Sequence, residues 1–275
     1  MRTPHLRRFS LVVAFCTLAL LTAGGLVTSN DAALSVPDWP LNWGRLVPPL
    51  EGGIRFEFTH RVLALLVAVL TTGLALWMQK RESRPWMRRL GWTTVATVIV
   101  QALLGGALVK WIDPKTLAVA HASLAQICFA LAVAVAAGQY GASGAGNRLA
   151  RLAVATLFLQ AVLGAAVRHN ALGIWWHVGG AVVAAAVTMW ASLGQIVRHL
   201  DDGPIPRPPV ALLVLTAFQI FAGVAAYSVR AAAVDDPQPM PLTVWTTVAH
   251  VVLGALTLGA AVVLAMTADR ARQKV

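Results

Sequence analysis

The chain has 275 residues, of which 58% are hydrophobic and 12% charged, with a formal net charge of +11 and a mean hydropathy of +0.70. A soluble globular domain carries about 25% charged residues, so a soluble fold is excluded. The basic excess sits in short clusters between apolar runs, which argues against a nucleic-acid-binding face.

A bilayer core roughly 30 Å thick needs about 20 apolar residues per helix. Eight such runs occur in order, at about 9–28, 56–78, 90–109, 117–138, 149–167, 172–196, 209–229 and 243–267. An open strand cannot cross lipid, because its backbone groups would go unpaired; all eight are expected to be helices. Run 1 follows Arg2, Arg7 and Arg8 in the manner of a signal peptide. Its end, Gly24-Gly25-Leu26-Val27, has counterparts in later runs and so reads as part of the fold. It leads into a long connection, 29–55, holding Ser35-Val36-Pro37-Asp38-Trp39-Pro40-Leu41-Asn42-Trp43-Gly44. Connections of 4–6 residues are usual. Tryptophan and proline at this density suit a rigid cap at the lipid–water boundary, or an interfacial aromatic belt.

Run 2 opens on Glu57-Phe58-Thr59-His60-Arg61, where a spacing of three places carboxylate and imidazole on one helix face. Such a carboxyl can exchange protons at a reacting carbon; the plainer alternative is a solvated group at a helix start. Run 3 ends on Gln101-Ala-Leu-Leu-Gly105 before Lys110, and run 4 begins with His121. Run 5 ends on Gln160-Ala-Val-Leu-Gly164 before Arg168, and run 6 begins with His177. Run 7 ends on Gln219-Ile-Phe-Ala-Gly223 before Arg230, and run 8 begins with His250. The repeating unit is a helical hairpin. The expected fold is all-α: a polytopic membrane protein whose eight transmembrane helices form two pseudo-symmetric four-helix bundles, 1–144 and 145–275.

Orientation follows from Lys and Arg. The termini and the connections on their side carry 15 basic residues against four acidic ones; the opposite side carries seven of each. Both termini are therefore expected in the cytoplasm. The charge excess is an insertion signal, and the four histidines lie toward the outer face.

An ionisable residue inside a span is a functional candidate. Zinc takes three or four ligands, and three of the histidines have no carboxylate or thiolate beside them in sequence. A haem iron takes two axial imidazoles. Cys16 and Cys128 lie alone in apolar runs and form no cluster. The pattern provides for up to two haem sites, one per half. Gly105, Gly106, Gly164, Gly179, Gly180, Gly223 and Gly254 either make room for a macrocycle or let helices pack closely. Arg61, Lys110, Arg168 and Arg230 stand at the level of haem propionates, or are interfacial anchors. Gln101, Gln160 and Gln219 are expected to hydrogen-bond between helices. His5, His169 and His199 fall in tails or connections and read as solvated.

Together these residues resemble the haem A synthase family. The resemblance is carried by Gly25-Leu-Val-Thr28, by the Ser35–Gly44 loop with its Pro-Asp-Trp-Pro core, by Glu57-x-x-His60-Arg61, and by His121, His177 and His250. It runs through nearly the whole chain. Some members carry a cysteine pair in this loop; Ser35 and Asn42 stand at the expected positions here.

The resemblance implies oxidation of the C8 methyl of haem O to a formyl group, giving haem A, through two hydroxylations and loss of water. It implies substrate haem O between His60 and His121, with Glu57 as the acid–base or charge-stabilising group. A permanent haem b would stand between His177 and His250. It also implies the bacterial cytoplasmic membrane as location, with haem O synthase and terminal oxidase assembly factors as neighbours and no nucleic acid. Two rivals are a haem transporter or chaperone, which would not require Glu57, and a di-haem cytochrome b, which would hold two permanent haems.

Overall fold

A computed structural model describes residues 4–111, 115–142, 148–200 and 204–267. Within them the chain forms eight α-helices: α1 (Pro4–Ser29), α2 (Ile54–Arg81), α3 (Pro85–Lys110), α4 (Lys115–Gln139), α5 (Arg148–Arg168), α6 (Ile174–Val197), α7 (Arg207–Ala232) and α8 (Pro241–Thr267). Each is long and apolar enough to cross a membrane. Among the described residues there is no strand, only a single backbone bridge between Asn42 and Arg45. Several cluster charges counted above (Arg2, Asp113, Asp201, Asp202, Asp269, Arg270, Arg272 and Lys274) lie outside the described residues.

All eight expected helices are present, and most are longer than their apolar runs. The extra turns hold polar and basic residues whose long side chains reach the water edge while their stems stay on the helix. Arg7, in the first turn of α1, has its guanidinium 5.8 Å from the Tyr140 ring centre. Pro85 opens α3 at its first turn, where a missing N–H costs no hydrogen bond.

Contacts between helices close two rings. In the first, α1 packs on α2, α2 on α3, α3 on α4 and α4 on α1; α5 to α8 repeat the pattern. The rings meet where α8 lies against α1 and α4, and α4 against α5. Helix α1 is thus an integral wall of both the first ring and the seam.

Tight packing is concentrated at one end of each ring. Leu6, Val13, Leu74, Met78, Met87 and Val135 form one core, and Ala150, Leu212, Ala261 and Leu264 the other. A third cluster, Leu21, Phe129 and Ala255, takes one residue each from α1, α4 and α8 and seals the seam. The α2–α3 turn is fixed by buried Glu82. It accepts bonds from Arg84 Nε (2.9 Å) and Nη2 (2.8 Å) and from the amide of Gln139 at the end of α4 (3.0 Å). The Arg84 side chain, chiefly, pulls the Glu82 carboxyl down to about 2.

The opposite ends are more open. No residue is buried in the first turns of α6, and α7 buries only Pro209 and Leu212 near its start. The histidines lie at these open ends, all four half-buried.

Candidate functional site

Each histidine sits near the start of an even-numbered helix, and the rings bring them together in two pairs. The ring centres of His60 and His121 are 6.5 Å apart, and those of His177 and His250 are 6.1 Å apart, each pair edge to face. An imidazole nitrogen bonds a first-row metal at about 2 Å; with roughly 1 Å from that nitrogen to its ring centre on each side, two axial imidazoles stand about 6 Å apart. Both pairs match that span. Among the described residues no group of three or more His, Cys, Asp or Glu is placed to hold a metal ion, so a zinc-type donor set is absent there. The Nδ1 atoms of His60, His121 and His250 are buried without a hydrogen-bond partner. The donor set therefore fits two axial pairs for haem.

The glutamines act between helices as expected. The Gln101 amide donates to the main-chain carbonyl of His121 (3.1 Å) and stands 3.2 Å from its Nε2. The Gln160 amide donates to the carbonyl of His177 (2.9 Å) and lies 2.9 Å from its Nδ1. Gln219 packs instead against Gly254. Helix α1 has Leu20 at the equivalent place, four residues before Gly24.

The glycines divide by what they face. Gly105, Gly164 and Gly223 each meet the histidine of the following helix, and Gly24, which the repeat pattern did not single out for this role, meets His60. Gly106 meets the Trp39 ring, Gly180 meets Gln160 and Leu163, and Gly179 meets nothing within 4 Å. The chain spacing from glycine to histidine varies widely; the usable signal was the alignment of helix ends, not a fixed motif.

The first pair alone has a roof. Glu57 is buried, so it is not a solvated helix-start carboxylate. Its Oε2 accepts the Val36 N–H (3.0 Å) and its Oε1 pairs with Arg61 Nη2 (2.6 Å). Arg61 spends its remaining donors on the outer loop. Nη1 reaches the carbonyls of Asp38 (2.7 Å) and Leu41 (2.8 Å) and the Asn42 Oδ1 (3.4 Å), and Nη2 also reaches the Val36 carbonyl (3.3 Å). The Arg61 guanidinium is thus the pin of the loop rather than a free cation. The loop's own turn is closed by Asp38, whose carboxylate accepts the N–H groups of Trp43 (2.6 Å) and Gly44 (2.7 Å). The Gly44 N–H, chiefly, keeps this exposed carboxyl below its ordinary value. Gly44 has φ +67°, a backbone angle that glycine adopts without strain.

The loop reaches across the ring: Trp39 lies flat on Gly106 of α3, one residue past the glycine that faces His121. No loop of comparable length stands over the second pair. There Arg168 bonds the Ser29 hydroxyl (3.3 Å). Among the described residues the ion pairs are Arg61–Glu57 and Arg84–Glu82, so neither Arg168 nor Arg230 has a carboxylate at ion-pair distance.

Of the remaining histidines, two are less solvated than expected. His5 is exposed, but His199 bonds the Gln195 carbonyl (2.7 Å). His169 is half-buried, and that burial pushes its pKa down.

Residues 4–135, a stretch that includes Glu57, His60 and His121, match the family model described as cytochrome oxidase assembly protein (COX15-CtaA). A protein of Symbiobacterium thermophilum named Heme A synthase is 32% identical over 182 residues, covering 60% of this chain and 59% of that protein. Proteins of the same name from Ruegeria pomeroyi and Shouchella clausii are each 30% identical. Their matches cover 47% and 46% of this chain, and 38% and 44% of those proteins. The chain thus spans about half the length of the curated relatives it matches. Residues 4–135 are thus similar to the COX15-CtaA family, and over about half its length the chain is similar to proteins named Heme A synthase.

Proposed function

We propose that this chain is a membrane oxidoreductase that converts haem O to haem A, oxidising the C8 methyl to a formyl group. The observation that carries the reading is an asymmetry between two otherwise similar sites. Both hold a histidine pair at the span of two axial ligands, and one of them lies beneath a loop latched by Glu57 and Arg61.

The roofed half, 1–144, takes the substrate haem O between His60 and His121. The loop shields the reacting edge from water, and Trp39 on Gly106 fixes how far it closes. Each hydroxylation replaces one C–H bond of the methyl with a C–O bond and passes an electron pair to an oxidant supplied from outside the chain; loss of water from the resulting geminal diol leaves the formyl group. Glu57 is held ready beside His60 as the acid–base or charge-stabilising group. Both its oxygens are engaged, one by the Val36 N–H and one by Arg61, which fixes where the carboxyl stands.

The second half, 145–275, keeps haem b between His177 and His250. Bound there, haem b supplies a one-electron redox centre. Arg168 and Arg230 offer cations for its propionates. The charge count supports a topology with both termini in the cytoplasm and both sites toward the outer face of the bacterial cytoplasmic membrane. Haem O synthase and terminal oxidase assembly factors would then be neighbours in the same membrane.

The test is expression with a source of haem O, followed by chromatography and mass analysis of extracted haems. Haem A or its hydroxylated precursor is expected. An intact, haem-loaded protein that yields neither overturns the proposal.

A further inference from the structure

Four glycines open onto histidine rings. A methyl group built at Gly24 would lie 3.1 Å from Cε1 of His60, at Gly105 3.2 Å from Cε1 of His121, at Gly164 2.9 Å from Cε1 of His177, and at Gly223 2.8 Å from Cε1 of His250. At Gly24, Gly164 and Gly223 the three nearest atoms all belong to the imidazole, and at Gly105 the ring supplies every atom within 4 Å. Real Cβ contacts are essentially never shorter than 3.0 Å and rarely shorter than 3.4 Å.

This arrangement is not what helix glycines do throughout the chain. Gly73, Gly179 and Gly194 meet nothing within 4 Å, and Gly91 and Gly138 meet methionine side chains. Glycines that merely let two helices approach would face backbone or mixed side chains. Here the same contact occurs in four separate helix pairs, α1–α2, α3–α4, α5–α6 and α7–α8. In two of them the residue one turn before the glycine, Gln101 or Gln160, also bonds the main chain of the same histidine. The preceding helix therefore grips each of those histidines at its backbone and at its ring.

We propose that Gly24, Gly105, Gly164 and Gly223 are positioning residues for the four imidazoles. Each forms a notch that sets the depth and tilt of one ring, and so the geometry of the ligand it presents to iron. Groups that orient a metal ligand tune the metal without touching it. The inference rests on the reading of the histidines as axial ligands.

The test uses the full-length protein purified from haem-supplied cells, as wild type, Gly164→Ala, Gly223→Ala and Gly194→Ala. The readouts are haem content, the electron paramagnetic resonance g values of the low-spin ferric signal, and the midpoint potential. Gly164→Ala and Gly223→Ala are expected to shift the g values and potential and to lose haem severalfold. Gly194→Ala, on α6 with open space around it, is expected to match wild type.

Wild-type spectra and haem content in both notch variants would overturn the proposal. A wild-type protein with no bis-imidazole signal would instead overturn the axial-ligand reading beneath it. If Gly164→Ala fails to accumulate, the double variant with His177→Gly decides. With the ring gone, the added methyl has space, so the double variant is expected to accumulate; failure of both sinks the notch.

Discussion

Replacing Arg61 with alanine tests whether a single guanidinium holds the outer loop over the first histidine pair. Arg61 makes two short bonds to loop carbonyls, at 2.7 and 2.8 Å, and an ion pair of 2.6 Å with Glu57. Hydrogen bonds from a charged group contribute about 1.5–3 kcal/mol each, and removing one partner of a buried ion pair costs about 3–5 kcal/mol. The Arg61 and Glu57 side chains are 15% and 8% exposed, so solvent screens the pair only in part. These contributions overlap, and the water released to Asp38 and Leu41 recovers some of the loss. A net weakening of about 3 kcal/mol follows, a rise of roughly 100-fold in the loop's opening equilibrium. The loop is the element that responds, because the helices pack on cores that Arg61 does not touch. Hydrogen exchange of the protein in lipid nanodiscs measures this directly. The amides of Val36, Trp43 and Gly44 should exchange roughly 100-fold faster, with α3 and α4 unchanged. An increase below about fivefold, equivalent to about 1 kcal/mol, would show that other contacts hold the loop.

Further outcomes can be checked on the same protein. Glu57→Ala should abolish conversion of haem O while haem b is retained; turnover at the wild-type rate removes Glu57 from the chemistry. His177→Ala should lose the permanent haem and its visible absorption bands, and an unchanged spectrum would place that haem elsewhere. Glu82 has a folded-state value of about 2 against an ordinary 4.5. A depressed carboxyl contributes stability that is full above its unfolded value and lost as pH falls through the folded one. Thermal stability should therefore decline between about pH 4.5 and 2, and Glu82→Gln should flatten the curve in that window. A variant with the wild-type profile would clear Glu82 of that role.

Much of this architecture was legible in the residues because lipid imposes few solutions. Eight apolar runs had to be helices, and four histidines at matching places in a repeat had to meet in pairs once each hairpin closed into its ring. The ends of the helices were less legible, since residues such as Arg7 continue a helix after the apolar signal has stopped. The latch was not legible at all. Arg61 bonds the carbonyls of Asp38, Leu41 and Val36, and a main-chain acceptor has no sequence identity. The burial of Glu57 likewise depends on the loop folding over it. Gly24 gave little warning because its helix lacks the glutamine that marks the other three; only the His60 ring beside it shows what it does. His169 reads as solvated by its place in a connection, yet it is half-buried.

The adjacent glycines of α1 bear on how closely the two halves bring their histidine pairs together. Gly24 meets His60, while Gly25, about 100° farther round the helix, stands 3.7 Å (measured from a built Cβ) from Val248 of α8, two residues before His250. A single peptide unit separates the wall of one histidine pair from the wall of the other. The seam cluster of Leu21, Phe129 and Ala255 packs α1, α4 and α8 together beside that peptide unit, so a bulkier residue at Gly24 or Gly25 would be felt by one histidine pair or by the wall of the other, according to which of two neighbouring positions it occupies.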